Sequence, residues 1–313
     1  MQKPSCTLLI LTYKGKHHLE FLLPTVEAVI KNSPQFDIEV IIVDNGKDHF
    51  TKVFVHEFFP RFRFEFSKAN DYLFSLNEYM KQITSDFTFI LNDDIKVHPE
   101  AINEALPLLV NDEQLFSVSC NVNDWDGTYS AEGTRQLFYQ RGWLYSQWNK
   151  NANDTVRYTL YTGGGSGIFR TEMFNELGGF DPLFRPAYCE DLDLGHRAWQ
   201  KGWKVVRAPK SILYHREGGT IKDQFKADQL SQKVYKNQIL WMVKNGNHAG
   251  FLKWFLLLLP YRLLLGWRVD KNSYIALWKS LSRLPLALKK RYSQPKATRS
   301  DEEIMPILNT VYP

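Results

Sequence analysis

Cysteine is scarce in this 313-residue chain, with only Cys6, Cys120 and Cys189. An odd number spaced this widely encodes neither a disulfide framework nor a zinc cluster, and it fits a reducing compartment. Long apolar runs are missing too. The greasiest stretch, residues 254–261, lies between Lys253 and Arg262, well short of the roughly 18 residues a membrane span requires. The first apolar run, residues 7–11, is too short for the core of a signal peptide and leads into a polar turn. Internal repeats and low-complexity segments are absent as well.

What is abundant is aromatic matter. The 21 Phe, 15 Tyr and 9 Trp are too much apolar surface for a disordered chain and require a sizeable core. The formal charge of +5 is modest, but its distribution is uneven. Residues 235–292 carry eleven Lys or Arg against one acid, a balance of +10, and the first 234 residues sum to −4. The pattern predicts three parts: an acidic body over 1–234, a basic helical extension over 235–292 and a polar tail over 293–313.

Along the body, two periodicities alternate. Residues 6–12, 38–43, 62–66 and 87–91 read as strands, and 16–31 and 70–83 as helices, with another helix opening at Pro99. Such units imply an α/β, Rossmann-like, mostly parallel sheet with helices on both faces. Residues 120–162 read as irregular structure and short strands. A helix over 190–201 and strands over 203–206 and 212–214 follow. From Tyr235 the pattern is helical, with Leu/Trp-rich faces broken by basic residues and by Pro260 and Pro285, which predicts several short amphipathic helices.

Ligands of parallel sheets sit beyond the carboxyl ends of the strands. Three polar clusters fall there: Thr12-Tyr13, Asp44-Asn45 and Asn92-Asp93-Asp94. Adjacent carboxylates at a strand end hold a hard divalent cation that binds phosphate oxygens; the competing reading is a turn or helix cap. Asp44-Asn45 reads either as a ribose or nucleobase contact or as a turn before the next helix. Glu190-Asp191-Leu192-Asp193 opens a helix, as a capping cluster or as the place of a general base. The helix dipole lowers the pKa of such a carboxylate and makes it a weak base, one that works if it takes a hydroxyl proton late. His215 ends the last strand before Arg216-Glu217-Gly218-Gly219-Thr220, where glycines would let backbone approach a phosphate. The run 163–167, with Gly164 and Gly165, is a turn or a wall against a sugar.

In this order the clusters resemble glycosyltransferase family 2, over roughly residues 5–220. The resemblance is carried by TLLILTYKGKHHLEFLLPTVEAV, VIIVDN, the Asn70 and Asn77 pair before FTFILNDDI, GGGSGIFRTEMFNELGGFDPLF, YCEDLDLGHRAWQKGW and YHREGGT. Within the family the chain is most similar to bacterial rhamnosyltransferase-type enzymes of lipid-linked and cell-surface glycans. The resemblance implies a GT-A fold and a nucleotide-sugar site formed by Thr12, Tyr13, Asp44, Asn45, Asn70, Asn92, Asp93, Gly164, Gly165 and Glu190. It implies Mn²⁺ or Mg²⁺ bound by Asp94, with His215 reaching the metal or the diphosphate, and Asp191 as the catalytic base. Two positions depart from the family pattern: Asn92 stands where many members have Asp, and Tyr72 where relatives usually have Gly.

The implied activity is an inverting, metal-dependent transfer from a nucleotide-diphosphate sugar to a hydroxyl of a glycan or lipid-linked glycan acceptor. One base and one displacement predict inversion. Basic residues interleaved with Leu, Trp and Phe suit anionic lipid headgroups better than nucleic acid, and place the protein on the inner face of the cell membrane; helices packed on the body are the alternative. A sugar-1-phosphate nucleotidyltransferase needs a Gly-rich, Arg-bearing loop after the first strand, where this chain has Tyr13-Lys14-Gly15-Lys16. A non-catalytic binding protein of the same fold would be expected to have lost a metal or base carboxylate.

Overall fold

The computed structural model describes residues 3–128, 133–149, 154–216, 227–268 and 270–313. The first half runs β1 (Ser5–Thr12), α1 (Lys16–Asn32), β2 (Asp37–Asp44), α2 (His49–Phe58), β3 (Arg63–Phe66), a 3-10 turn (Tyr72–Ser75), α3 (Leu76–Met80), β4 (Phe87–Asn92), β5 (Ile95–Val97), α4 (Ala101–Asn111) and β6 (Leu115–Asp124). A hairpin of β7 (Thr134–Gln140) and β8 (Trp143–Asn149) follows, then β9 (Arg157–Tyr158), β10 (Ser166–Arg170), α5 (Thr171–Glu176), α6 (Glu190–Gln200) and β11 (Lys204–His215). The C-terminal part is helical: α7 (Ala227–Asn245), α8 (Phe251–Leu265), α9 (Lys271–Ser280), α10 (Leu284–Ser293) and α11 (Asp301–Ile307).

The central sheet has the order β3-β2-β1-β4-β10-β6-β11-β5, with β9 paired to β11. β1, β2, β3 and β4 are parallel, β10 is antiparallel to both β4 and β6, and β6 is parallel to β11. Alternation along β1 splits the core into two layers. Leu8 and Ile10 face α1, α2 and α4, whereas Leu9 and Leu11 face α3, α5, α6 and the C-terminal helices. The second layer contains Trp199 of α6 together with Leu240 and Trp241 of α7, all fully buried.

Three elements differ from the sequence expectation. Tyr72 takes a left-handed φ of 49°, which breaks the helix expected over 70–83 into a 3-10 turn and the short α3. The two strands expected over 203–214 are one, β11, with a register shift between Ala208 and Ile212; Pro209 cannot donate to the ladder there, so the strand bulges and resumes. The helix expected from Pro99 begins at Ala101, with Glu100 as its cap.

Position 235 lies inside α7, and that helix is wired into the body. Asp193 of α6 is fully buried and accepts from Arg197 at 2.8 Å, Lys244 at 2.6 Å and Asn245 at 2.8 Å. Lys244 also reaches Asp181 at 2.7 Å, and Lys290 of α10 reaches the same carboxylate at 2.9 Å. Burial pushes both carboxyls up, but the surrounding cations override it and hold them below the usual carboxylate range. At the other end of α6, buried His196 and Asp301 of α11 pair at 2.8 Å. Two of the eleven basic residues of 235–292, Lys244 and Lys290, therefore neutralise the body.

Removing one member of a buried ion network leaves its partners uncompensated. Lys244→Ala is expected to destabilise the protein by about 3–5 kcal/mol, read as a lowered urea midpoint at constant m-value. Loss below 1 kcal/mol would place the network outside the stabilising core.

Candidate active site

The sheet order sets β2, β1 and β4 side by side, with Thr12 opposite Asp44 and Leu11 opposite Asn92. The three polar clusters read from the sequence thus meet at one edge. Because β10 runs antiparallel to β4, its start lies beside the end of β4, and the Asn92 N–H donates to the Gly165 carbonyl at 3.0 Å. A Cβ on Gly165 would lie 2.3 Å from Asn92 Oδ1, so only glycine lets the two chains approach this closely. β11 ends at the same edge, with His215 paired to Ile95.

Asp94 and His215 are brought together: Asp94 Oδ2 lies 3.2 Å from His215 Nε2. Asp94 Oδ1 is buried and has no hydrogen-bond partner. An orphaned buried carboxylate oxygen is costly unless something fills its lone pairs. Among the described residues no group of three or more His, Cys, Asp or Glu side chains is arranged to hold a metal. One carboxylate and one imidazole fit a hard cation that draws its remaining ligands from water and phosphate oxygens, as Mg²⁺ and Mn²⁺ do.

Asp93 points elsewhere. Its carboxylate accepts from the Thr12 hydroxyl, and burial raises its pKa to about 7 against that bond, with the charge of Asp94 adding to the rise. Asp44 is fully buried and accepts from the N–H groups of Lys14 (3.0 Å), Gly46 (2.8 Å) and Asp48 (2.6 Å). In this conformation it shapes the two strand-end loops, which is the turn reading of the sequence. Asn45 donates to the Tyr72 carbonyl at 3.2 Å, and its own Oδ1 is buried without a partner. Tyr13 and Asn70 are exposed.

Asp191 enters at the first turn of α6, which opens with Glu190 directly after Tyr188 and Cys189, both at φ near 70°. Left-handed backbone in such residues costs on the order of 1–3 kcal/mol each and persists where its surroundings enforce it. Here the Asn237 amide of α7 donates to the carbonyls of Phe184, Ala187 and Tyr188 at 2.7, 2.9 and 2.9 Å. Burial raises the Asp191 carboxyl, against the Leu192 N–H and the charge of Arg135. The sequence expectation of a dipole-lowered, weak base is therefore corrected: desolvation outweighs the helix dipole. Glu190, 3% exposed and with Oε2 unpartnered, is raised to about 8 by burial and then by Asp191. The phenol of Tyr72 is buried within the field of Glu190, Asp191 and Asp94. Its left-handed backbone accounts for the glycine expected at this position.

A cavity of about 260 Å³ joins Asn92, Gly165, Asp191 and His215. Gly164 lies beside it, close enough to Leu73 to exclude a Cβ. The backbone from Glu217 to Thr220 lies outside the described residues. A second cavity of similar volume opens at the other strand ends, near Asp86, Arg170 and Asn175, away from all these groups. Among the lining residues not singled out in the sequence are Arg135, Trp148, Tyr161 and Arg207. Arg135 and Trp148 are set together by the β7–β8 hairpin, which closes at Arg141-Gly142 in a two-residue turn with both φ values positive.

A family model described as "Glycosyltransferase like family 2" matches residues 4–237. An N-acetylglucosaminyl-diphospho-decaprenol L-rhamnosyltransferase of Mycobacterium tuberculosis is 23% identical over 239 residues, 68% of this chain and 76% of its own length. A probable glucomannan 4-beta-mannosyltransferase 3 of Arabidopsis thaliana is 24% identical over 136 residues, covering 42% of this chain and 22% of its own. Among solved structures, GalNAc-T7 with UDP, GalNAc and Mn²⁺ matches at a TM-score of 0.62 and 13% identity, over 90% of this chain and 57% of that one. The mannosyltransferase PcManGT of Pyrobaculum calidifontis, with GDP-Man and Mn²⁺, matches at 0.54 and 14% identity, over 94% and 88%. S. aureus TarS with UDP-GlcNAc matches at 0.57 and 14% identity, over 91% and 81%. The fold is GT-A.

The carboxyl pair gives a direct test. Asp191→Asn removes the charge that adds to burial in raising Glu190, so Glu190 is expected to ionise at lower pH than in the unsubstituted protein, followed by carboxyl ¹³C NMR. An unchanged or higher ionisation pH would show that the two groups do not interact.

Proposed function

The chain belongs to glycosyltransferase family 2, and we propose that it transfers a hexosyl or deoxyhexosyl group, with inversion, from a nucleotide-diphosphate sugar to a hydroxyl of a lipid-linked or cell-surface glycan. The observation that carries this reading is that His215, paired with Asp94, and Asp191 open into one cavity, from the ends of β4 and β11 and the start of α6. The names of the relatives support it: one acts on a diphospho-decaprenol glycan, and two structural neighbours are bound to nucleotide sugars.

In this reading Asp94 and His215 hold Mn²⁺ or Mg²⁺, which when bound neutralises the charge of the leaving diphosphate. The orphaned Asp94 Oδ1 favours such a ligand. Thr12, Tyr13, Asn45, Asn70, Asn92 and Asp93 form the nucleotide side, with Asp44 holding the loops that carry them. Gly164 and Gly165 wall the sugar with Glu190 beside them, and burial keeps the carboxyl of Asp191 raised. Asp191 takes the acceptor hydroxyl proton as the new bond forms. A carboxylate whose pKa is lifted by desolvation is a stronger base than an exposed one, and it stays useful as long as it is ionised at the working pH.

The C-terminal extension supplies a surface. No helix among the described residues is long and apolar enough to cross a membrane. Yet α8 is apolar apart from Lys253 and Arg262 and buries only Phe251 and Phe255, leaving Leu257, Tyr261 and Leu264 at 60%, 62% and 71% exposure. A helix of this composition is normally covered on every side; exposed Lys253 lies in its first turn, and exposed Arg268 and Lys271 follow its end. Packing two copies face to face through a two-fold axis would set these cations against themselves. An anionic bilayer on the inner face of the cell membrane satisfies both the apolar face and the charge.

Two variants separate the roles. Asp191→Asn is expected to lower kcat at least about a hundredfold, the lower bound for losing a general base, with nucleotide affinity retained. Asp94→Asn is expected to weaken metal-dependent nucleotide binding. Both would be read by calorimetry and by transfer from UDP-, GDP-, dTDP- and CMP-sugars with Mn²⁺ or Mg²⁺. Full transfer by Asp191→Asn would remove Asp191 from the role of base. Separately, Leu257→Ser with Leu264→Ser is expected to lower partitioning onto anionic vesicles by at least about tenfold, since a buried leucine contributes roughly 1.5–3 kcal/mol. Unchanged sedimentation with vesicles would remove α8 as the contact.

A further inference from the structure

Tyr72 is a bulky residue in a backbone conformation that suits glycine, with φ at 49°. Such a conformation is costly for an aromatic residue and persists only where its surroundings enforce it. Here the turn is held from three sides. The Asn45 amide, at the end of β2, donates to the Tyr72 carbonyl at 3.2 Å. Before it in the chain, Asp71 accepts from Arg185 Nε at 2.8 and 3.1 Å, on the segment leading into α6. After it, buried Leu73 packs so closely on Gly164 that a Cβ there would lie 2.6 Å from Leu73 Cδ1.

This turn holds the phenol among the groups to which the reaction is assigned. Burial, then the charges of Glu190, Asp191, Tyr188 and Asp94, keep it protonated well above the ordinary phenol range. The ring is therefore close to both the proposed base and the proposed metal carboxylate. In the transferase reading the sugar in transit occupies that same interval. Its leaving diphosphate faces Asp94, and the oxygen that replaces the diphosphate arrives on the side of Asp191. The ring cannot retreat freely, because it packs against the second core layer and its backbone is pinned by Asn45. A sugar placed there meets an aromatic wall.

We propose that the Tyr72 ring is a wall of the donor-sugar pocket and sets its size, admitting an unsubstituted hexose or deoxyhexose and rejecting an N-acetylhexosamine. The assignment rests on the transferase reading and deepens it, by naming the side chain that limits the donor. Extra atoms pressed against a fixed wall force neighbouring side chains off their rotamers, so an acetamido group is excluded without any charged contact.

The experiment uses the full chain with Mn²⁺ and matched donors, glucose and N-acetylglucosamine each carried on UDP, dTDP and GDP. Calorimetric titration compares each donor with its free nucleotide. The unsubstituted protein is expected to bind the glucose donor at least about tenfold more tightly than its N-acetylated partner, the scale for a group too large for its pocket. Tyr72→Gly, which suits the left-handed backbone, is expected to bring the two within about twofold while free-nucleotide affinity is retained. Tyr72→Asn also tolerates that backbone and should give the same result, which covers the case of a poorly folded glycine variant. Tyr72→Phe keeps the wall and should keep the preference. Equal affinity of the unsubstituted protein for the two donors, or a preference surviving both small variants, would overturn the proposal. Loss of free-nucleotide binding in those variants would also overturn it and assign the turn to the nucleotide. Failure of the unsubstituted protein to bind any nucleotide or nucleotide sugar would count against the transferase reading itself, and that failure is read before any variant is made.

Discussion

The structure turns on the buried ions beneath α6. Asp193 and Asp181 cannot be desolvated alone, and the cations that make their burial possible come from three elements: Arg197 on α6, Lys244 on α7 and Lys290 on α10. The helix carrying Asp191 is therefore positioned by a segment more than fifty residues further along the chain. Asn237 adds to this by holding the backbone before Asp191 in its left-handed turn. His196 and Asp301 close the far end. Catalytic body and basic extension are one packed unit at this contact.

That dependence changes the meaning of the charge asymmetry. An acidic body and a basic extension look like two surfaces for two partners. Part of the basic excess is used internally: Lys244 and Lys290 meet buried acids, Arg283 and Arg291 donate to carbonyls of Leu183 and Val243. What is left for an external partner is the rim of α8 and α9, a smaller and more local charge than +10.

Much of the architecture was legible in the sequence because it rests on local chemistry. The short apolar runs of β1, β2 and β4 and the polar residues ending each fixed the parallel core and the edge where Asn92, Asp94 and His215 meet. What stayed hidden depends on contacts distant in sequence. Nothing around Glu190 announced that burial would outweigh the helix dipole, since the burying groups lie on other elements. The role of Asp44 as loop organiser needed the loops at Lys14 and Asp48 to be seen together. Arg135 and Trp148 sit in a polar, aromatic stretch without strong periodicity, and only the pairing of β7 with β8 sets one on the other. The gap expected between strands 203–206 and 212–214 is a bulge at Pro209 that one strand survives.

The hairpin has a mechanical side as well. Its tip, Arg141-Gly142, is pressed against α8 so closely that a Cβ at Gly142 would lie 2.4 Å from the Phe255 backbone, and Arg262 bonds the Arg141 carbonyl. Six residues of strand separate that tip from Arg135, about 20 Å at an antiparallel rise. The hairpin is thus a ruler: whatever surface α8 rests on stands at a set length along it from the Arg135–Trp148 pair. On the proposed reading, an acceptor anchored in that surface would have to span that length to reach the cavity, and selection would be by reach in addition to chemistry.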